Sequence, residues 1–276
     1  MLVRVLLVGF LLAAPFAAGA EPVAPREAAN AVVEYLDGWA EPDGSHIAAL
    51  SFRLGAGWRT YWRTPGEAGI PPRFDWTGSS NIARVEYLWP VPTVWDGAGG
   101  MYLGYADWLV LPVRLTLEDP VLPAQVHLTV DFGVCANICV PLVKRVSAEV
   151  APGAPAGRNA EVIRAALANL PERPEEAGVT AVTCRLRPEG EAIGLTAEMD
   201  FSGAVPEPEA VMIEAPVADL WIPPATAVRH GQRLTAETRL EYFGVAPLVL
   251  DRASLRLTVI AEAGAFEIKG CPAPRG

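Results

Sequence analysis

Cys135 and Cys139 are the two side chains in this sequence whose type and spacing most directly suggest chemistry. They are separated by Ala136-Asn137-Ile138 and follow the run Val126-His127-Leu128-Thr129-Val130-Asp131-Phe132. Alternation places Val126, Leu128, Val130 and Phe132 on one face of a strand, because successive side chains point to opposite sides of a sheet. A strand, a cysteine, a short polar turn and a second cysteine before Val140-Pro141 read as a hairpin tip with two sulfurs facing across the ladder. Two readings compete. A disulfide here can simply pin the hairpin, or it can exchange with thiols. The closed loop is so small that cross-linking removes little chain entropy and stabilises only modestly, which favours exchange. The spacing is not the C-x-x-C of thioredoxin-like proteins, and no helix follows to depress a thiol pKa.

The other two cysteines, Cys184 and Cys271, are distant singles that bracket the last third of the chain. A cross-link over so long a loop stabilises by about 4 kcal/mol in the chain-entropy model, so this pair is expected to be a structural disulfide. The rival is that Cys271 is a tail thiol acting as a relay. His46, His127 and His230 are scattered, with no spacing that builds a metal site, so neither metal nor cofactor is expected. His127 could assist a thiol only if it lay near Cys135. Asp96 is the loop carboxylate to consider for proton handling, since a carboxylate beside a thiol disfavours the thiolate. No Ser/His/Asp order, phosphate loop or nucleotide fingerprint is present.

These residues sit in a chain that reads as exported. Arg4, the apolar run Val5 to Phe16 and Ala18-Gly19-Ala20 form the three parts of a secretory signal peptide, assigned to residues 1–20. The apolar run is too short to span a bilayer, and no later stretch is long and apolar enough, so the mature chain is expected not to span a membrane. Export makes disulfides the default state of the cysteines. The formal charge is −10, made more negative by loss of Arg4, and no basic stripe exists, which argues against a nucleic-acid partner.

The elements that position the cysteines read as mainly β. Ala31 to Leu36, His46 to Leu54, Asp75-Trp76 with Asn81 to Trp89, Leu109 to Leu117, Gln125 to Phe132 and Lys144 to Val150 have strand character and turn chemistry between them, as in an antiparallel sandwich. Trp58 to Pro72 is dense in aromatics, glycine and proline and reads as too broken for a long regular element. Trp95 to Tyr105 reads as a Gly-rich loop. Ala151 to Gly157 is a linker by composition, and Asn159 to Leu170 has helical spacing on one face, ended by Pro171. Strand patterns resume at Val179 and continue to Ile260, as in a second, smaller β-sandwich. The expected organisation is a sandwich over 21–150, a connector with one helix over 151–177, and a second sandwich over 178–276.

Several motifs, in order, resemble the N-terminal periplasmic domain of the DsbD/ScsB thiol:disulfide interchange proteins. They are Trp58-Arg59-Thr60-Tyr61-Trp62-Arg63-Thr64-Pro65-Gly66, Gly69-Ile70-Pro71-Pro72, Asp75-Trp76, Trp89-Pro90-Val91-Pro92, Tyr102-Leu103-Gly104-Tyr105, Leu111-Pro112-Val113 and Val134-Cys135 through Cys139-Val140-Pro141. The resemblance implies an immunoglobulin-like sandwich in the periplasm. It implies that Cys135 and Cys139 are the active pair, receiving electrons from a membrane-embedded thiol reductant and reducing an oxidised periplasmic thiol protein. It also implies that Asp96 to Tyr105 is a cap loop over the sulfurs, with Asp96, Met101, Tyr102 and Tyr105 among its residues. The chain differs from better-known members in a shorter cap, Met101 in place of an aromatic, and closer cysteines. It ends at Gly276 without the family's membrane and thioredoxin-like domains, so the electrons are expected to come from a separate protein. Two other functions are weighed. One is a non-catalytic adaptor that binds ligand in an exposed aromatic groove at Tyr61, Trp62 and Trp95. The other is Cu(I) capture by the two thiolates.

Overall fold

A computed structural model describes residues 31–67, 69–97, 100–190 and 192–274. The signal-peptide assignment therefore lies outside the described residues. Eighteen strands and one α-helix are described, and every pairing between named strands is antiparallel.

The first sandwich has one sheet of β1 (Ala31–Ala40), β2 (His46–Leu54), β8 (Trp108–Leu117) and β5 (Ile82–Tyr87), in the order β1-β2-β8-β5. The facing sheet runs β10-β9-β3-β7-β6, from β10 (Cys139–Val150), β9 (Ala124–Cys135), β3 (Arg59–Gly66), β7 (Gly100–Ala106) and β6 (Thr93–Gly97), with β4 (Arg73–Asp75) also on β9. Alternation works as expected in β9: Val126, Leu128, Val130 and Phe132 are buried, while His127 and Asp131 are exposed. They meet Leu50, Phe52, Leu111 and Val113 of the other sheet, with Phe52 edge-on to Phe132 at 5.2 Å. At one edge of the other sheet, His46 is buried and its Nε2 lies 3.0 Å from Asp37 Oδ1, joining β2 to β1.

Three local readings of the sequence need correction. The segment after Trp58 does form a strand, β3, because Arg59 and Thr60 find partners on both sides before the ladder breaks after Tyr61. Thr93–Gly97 and Gly100–Ala106 are two paired strands, β6 on β7, where the sequence reads as a loop. The segments around Asp75 and Asn81 are not paired with each other: β4 pairs with β9 and β5 with β8, on opposite sheets.

The helix, α1 (Ala160–Ala168), buries Ile163 against Ile47, Ala49 and Val110 on the outer face of the first sandwich. Beyond it, β11 (Val179–Glu189), β12 (Ala192–Phe201), β16 (Arg233–Tyr242) and β14 (Leu220–Trp221) form a sheet in that order, with β15 (Thr226–His230) also on β16. It packs on a three-stranded sheet of β13 (Pro208–Glu214), β17 (Arg256–Ala261) and β18 (Gly264–Lys269). Cys184 in β11 and Cys271 after β18 are bonded and fully buried in this core.

The three-stranded sheet is covered on both faces. Val211, Ile213, Leu257, Val259, Phe266 and Ile268 enter the second core, whereas Ala210, Met212, Ile260 and Ala265 enter the core of the first sandwich. A strand apolar on both faces reads as an unbroken hydrophobic run, as Ala210-Val211-Met212-Ile213 does. The two sandwiches therefore share a wall.

Candidate functional site

β9 and β10 form a hairpin whose last register pair is Cys135 opposite Cys139, with the two Cα atoms 4.2 Å apart and the sulfurs bonded. Ala136, Asn137, Ile138 and Cys139 are exposed at the tip, while Cys135 is only 9% exposed. The two sulfurs thus belong to side chains in different surroundings. Cys139 is open to an incoming molecule and Cys135 faces protein.

What Cys135 faces was not evident from its neighbours in sequence. β3 runs beside β9, with Arg59 opposite Cys135 and Thr60 opposite Val134, and Thr60 Oγ1 donates to the carbonyl of Gly133 at 2.9 Å. This register brings the hydroxyl of Tyr61 to 2.7 Å from Cys135 Sγ and 3.1 Å from Cys139 Sγ. Disulfide sulfurs carry no proton, so the phenol is the only possible donor in both contacts. Tyr61 is 4% exposed, and burial first, then the neighbouring Tyr102, push its pKa up. It stays protonated at neutral pH and acts as a donor, not a base.

The packing around Tyr61 leaves no room for side chains at two glycines. A Cβ on Gly133 would meet Ile70 Cβ at 2.6 Å, and one on Gly69, whose φ is +145°, would meet the Tyr61 ring at the same distance. The stretch from Gly69 therefore closes tightly over the ring, and Gly133 N–H donates to the carbonyl of Ile70.

The β6–β7 hairpin supplies the rest of the surroundings. Tyr102 meets Tyr61 edge-on at 6.2 Å and stacks on Trp95 at 5.5 Å. Arg59 Nη1 donates to Tyr102 Oη at 2.7 Å while its guanidinium lies 4.9 Å from the centre of the Trp95 ring, a cation–π contact. Met101 is held by Glu67: its N–H donates to Glu67 Oε2 at 2.9 Å, and Glu67 N–H donates to its carbonyl. Asp96 is exposed opposite Met101 in the hairpin. Tyr105 is elsewhere: it is buried in the first core, stacked on Trp89, and donates to the Pro90 carbonyl at 2.7 Å. Of the four cap residues taken from the sequence, Tyr102 reaches the neighbourhood of the sulfurs through Tyr61, and Tyr105 serves the core.

The same geometry bears on the remaining possibilities raised by the sequence. His127 lies eight positions from Cys135 on an extended strand, a separation of about 26 Å, and cannot assist the thiol. Trp62 is fully buried and Tyr61 nearly so, which removes the exposed aromatic groove that an adaptor would use. Among the described residues, no group of three or more His, Cys, Asp or Glu side chains gathers as a metal site. The residues that sequence reasoning under-read are Arg59, Tyr61 and Trp95. Their signal was the alternation of Arg59 and Tyr61 on β3, obscured by the proline and glycine that follow.

No curated protein matches the chain by sequence. Solved structures with the same fold include the N-terminal periplasmic domain of ScsB from Proteus mirabilis, with a TM-score of 0.61 over 89% of this chain and 92% of that one, at 20% identity. Among the described residues, no helix is long and apolar enough to cross a membrane. The family model described as thiol:disulfide interchange protein DsbD, N-terminal, matches residues 21–151, the segment that contains β1 to β10 and both hairpin-tip cysteines. Residues 21–151 belong to the DsbD N-terminal family.

Proposed function

We propose that the chain is an exported thiol–disulfide exchange protein of the periplasm. Its Cys135/Cys139 pair takes two electrons from a membrane-embedded thiol reductant and passes them to an oxidised periplasmic thiol protein. The observation that carries this reading is the asymmetry of the pair: an exposed Cys139, and a buried Cys135 in contact with a protonated phenol. The family of residues 21–151 supports it.

In the reduced protein, Cys139 gives up its proton to solvent and its thiolate attacks one sulfur of the partner's disulfide. An intermolecular S–S bond forms, the partner's bond breaks, and the partner's other sulfur leaves as a thiolate that takes up a proton. Cys135 then loses its proton and attacks Cys139 Sγ. The Cys135–Cys139 bond forms, the mixed disulfide breaks, and the second partner sulfur departs and is protonated. Two electrons and two protons have moved, and the partner is a dithiol. The membrane reductant reverses these steps on the oxidised pair. Tyr61 donates to Cys135 Sγ as it becomes a thiolate, offsetting the burial that otherwise disfavours the anion.

The β6–β7 hairpin, with Met101 and Tyr102, acts as the cover on the Cys135 side of the pair, and Asp96 lies on its exposed edge. Cys184–Cys271, fully buried in the second core, is the structural disulfide. Equilibration of the Cys135–Cys139 bond with glutathione, combined with trapping in single-cysteine variants, tests the proposal. A bond that resists reduction below about −300 mV and forms no mixed disulfide would mark the hairpin as a staple.

A further inference from the structure

We infer that Arg63 and Thr64, tied to Glu214 and Glu267, form a tether by which the second sandwich positions the Tyr61 strand and the cap hairpin over the redox pair. The inference rests on the exchange reading above and assigns the second sandwich a part in it beyond that of a spacer.

The starting point is where β3 loses its own sheet. Its pairing with β9 covers only Arg59 and Thr60, and its pairing with β7 breaks after Tyr61, resuming at Gly66 opposite Tyr102. Trp62 to Pro65 therefore arch out of the ladder just past the residue that touches both sulfurs. An unladdered stretch needs other partners, and here they come from the second sandwich. Arg63 Nε and Nη2 donate to the two oxygens of Glu214 at 2.9 and 2.7 Å, a bidentate fork. Arg63 Nη2 also donates to Glu267 Oε2 at 2.7 Å and lies 3.3 Å from the buried hydroxyl of Thr258. Thr64 Oγ1 donates to Glu214 Oε1 at 2.6 Å. Arg256, 3.6 Å from Glu267 Oε1, balances the second carboxylate. The Arg63 guanidinium packs on the Trp62 ring at 4.1 Å.

This arch has one end on each part of the cover. At its N-terminal end is Tyr61, one residue before Trp62. At its C-terminal end, Glu67 holds both backbone groups of Met101 in the hairpin, and Gly69 seals the other side of the Tyr61 ring. Beside the arch, a cleft of about 390 Å³ between Thr64, Pro65 and Gly66 on one side and Leu220 to Ile222 on the other leaves it room to move if the tether is released. Charge-assisted hydrogen bonds to groups on a shared wall hold it against that motion. Arg63 and Thr64 are positioning residues: they act on the sulfurs through Tyr61 and Glu67.

The test is the second-order rate at which dithiothreitol reduces the Cys135–Cys139 bond in the full chain, with the Cys184–Cys271 bond of the same molecule as internal reference. Glu214→Gln, Thr64→Val and Arg63→Met should each lower the first rate at least threefold, because a displaced Tyr61 no longer donates to the departing Cys135 thiolate, and leave the second within twofold of wild type, with Arg63→Lys intermediate. General loosening would raise both rates, and unchanged rates at Cys135–Cys139 in folded variants would show that the tether positions nothing; either result overturns the inference. If Arg63→Met fails to fold, the two variants that keep Arg63 decide. A wild-type Cys135–Cys139 bond as slow to reduce as Cys184–Cys271 would instead sink the exchange reading itself.

Discussion

Tyr61 Oη and Cys135 Sγ lie 2.7 Å apart although 74 positions separate them in sequence. The contact exists because β3 pairs with β9 for two residues at the hairpin tip, and it gives a buried sulfur a hydrogen-bond donor. Tyr61→Phe removes that donor and keeps the ring. A thiolate accepts a stronger hydrogen bond than a disulfide sulfur, so the loss falls mainly on the reduced state. Taking about 1–2 kcal/mol for the net bond, the pair should become more reducing by roughly 5- to 30-fold in its exchange equilibrium with glutathione. The pH midpoint of Cys135 alkylation by iodoacetamide should rise in the variant.

The exposure difference between the two cysteines predicts unequal trapping. Cys135→Ala leaves the accessible Cys139 to form a mixed disulfide that cannot resolve, so a covalent adduct with an oxidised partner should accumulate. Cys139→Ala leaves a thiol that is 9% exposed and should trap little. Non-reducing gels of both variants with an oxidised periplasmic extract read this directly. Equal adduct from both would contradict the assigned order of attack.

The two disulfides should differ in what they do for stability. Cys184–Cys271 closes 87 residues and should contribute about 4–5 kcal/mol, whereas Cys135–Cys139 closes 4 and should contribute about 2 kcal/mol, both from the chain-entropy relation. Urea denaturation of the double alanine variant of each pair checks the ranking. Loss of the buried pair should leave the exchange reaction of the hairpin pair intact in whatever fraction stays folded.

His46 should make stability fall on mild acidification. Burial lowers its pKa, and the hydrogen bond and charge of Asp37 offset this only in part. The folded state thus binds its proton less readily than the unfolded chain. Stability is full above the unfolded value of about 6.5 and declines as pH drops below it, with a slope approaching 1.4 kcal/mol per pH unit until the folded pKa is reached. Comparing urea midpoints at pH 7.5 and 5.5, wild type should lose more than His46→Gln. Parallel losses would mean that His46 is not the group responsible.

How much of this was legible in the sequence depends on where the partners of each residue lie. The hairpin tip could be read because Val126 to Phe132 alternate cleanly and the turn is local. The helix could be read because Val162, Ile163 and Ala166 share one face, though it stops at Ala168, before the proline that was expected to end it. The cap could not be read as a hairpin, since the glycines around positions 97–100 resemble a loop when the β6–β7 register is unknown. Tyr61 was hidden for a different reason: its partner is reached only by a two-residue pairing between strands far apart in the chain. Arg63, Glu214 and Glu267 were hidden in the same way, three charges that look solvated until two sandwiches bring them together.

The sheet of β13, β17 and β18, apolar on both faces, bears on how the molecule comes apart. Melting of the second sandwich would strip Ala210, Met212, Ile260 and Ala265 from the first core, and opening of the first would bare the same apolar face of the sheet to water. Unfolding should follow one cooperative transition, with tryptophan fluorescence and far-ultraviolet dichroism coincident, instead of two steps. For the same reason, a chain cut within the connector should yield two pieces that self-associate, each carrying half of a common interior as a new sticky surface.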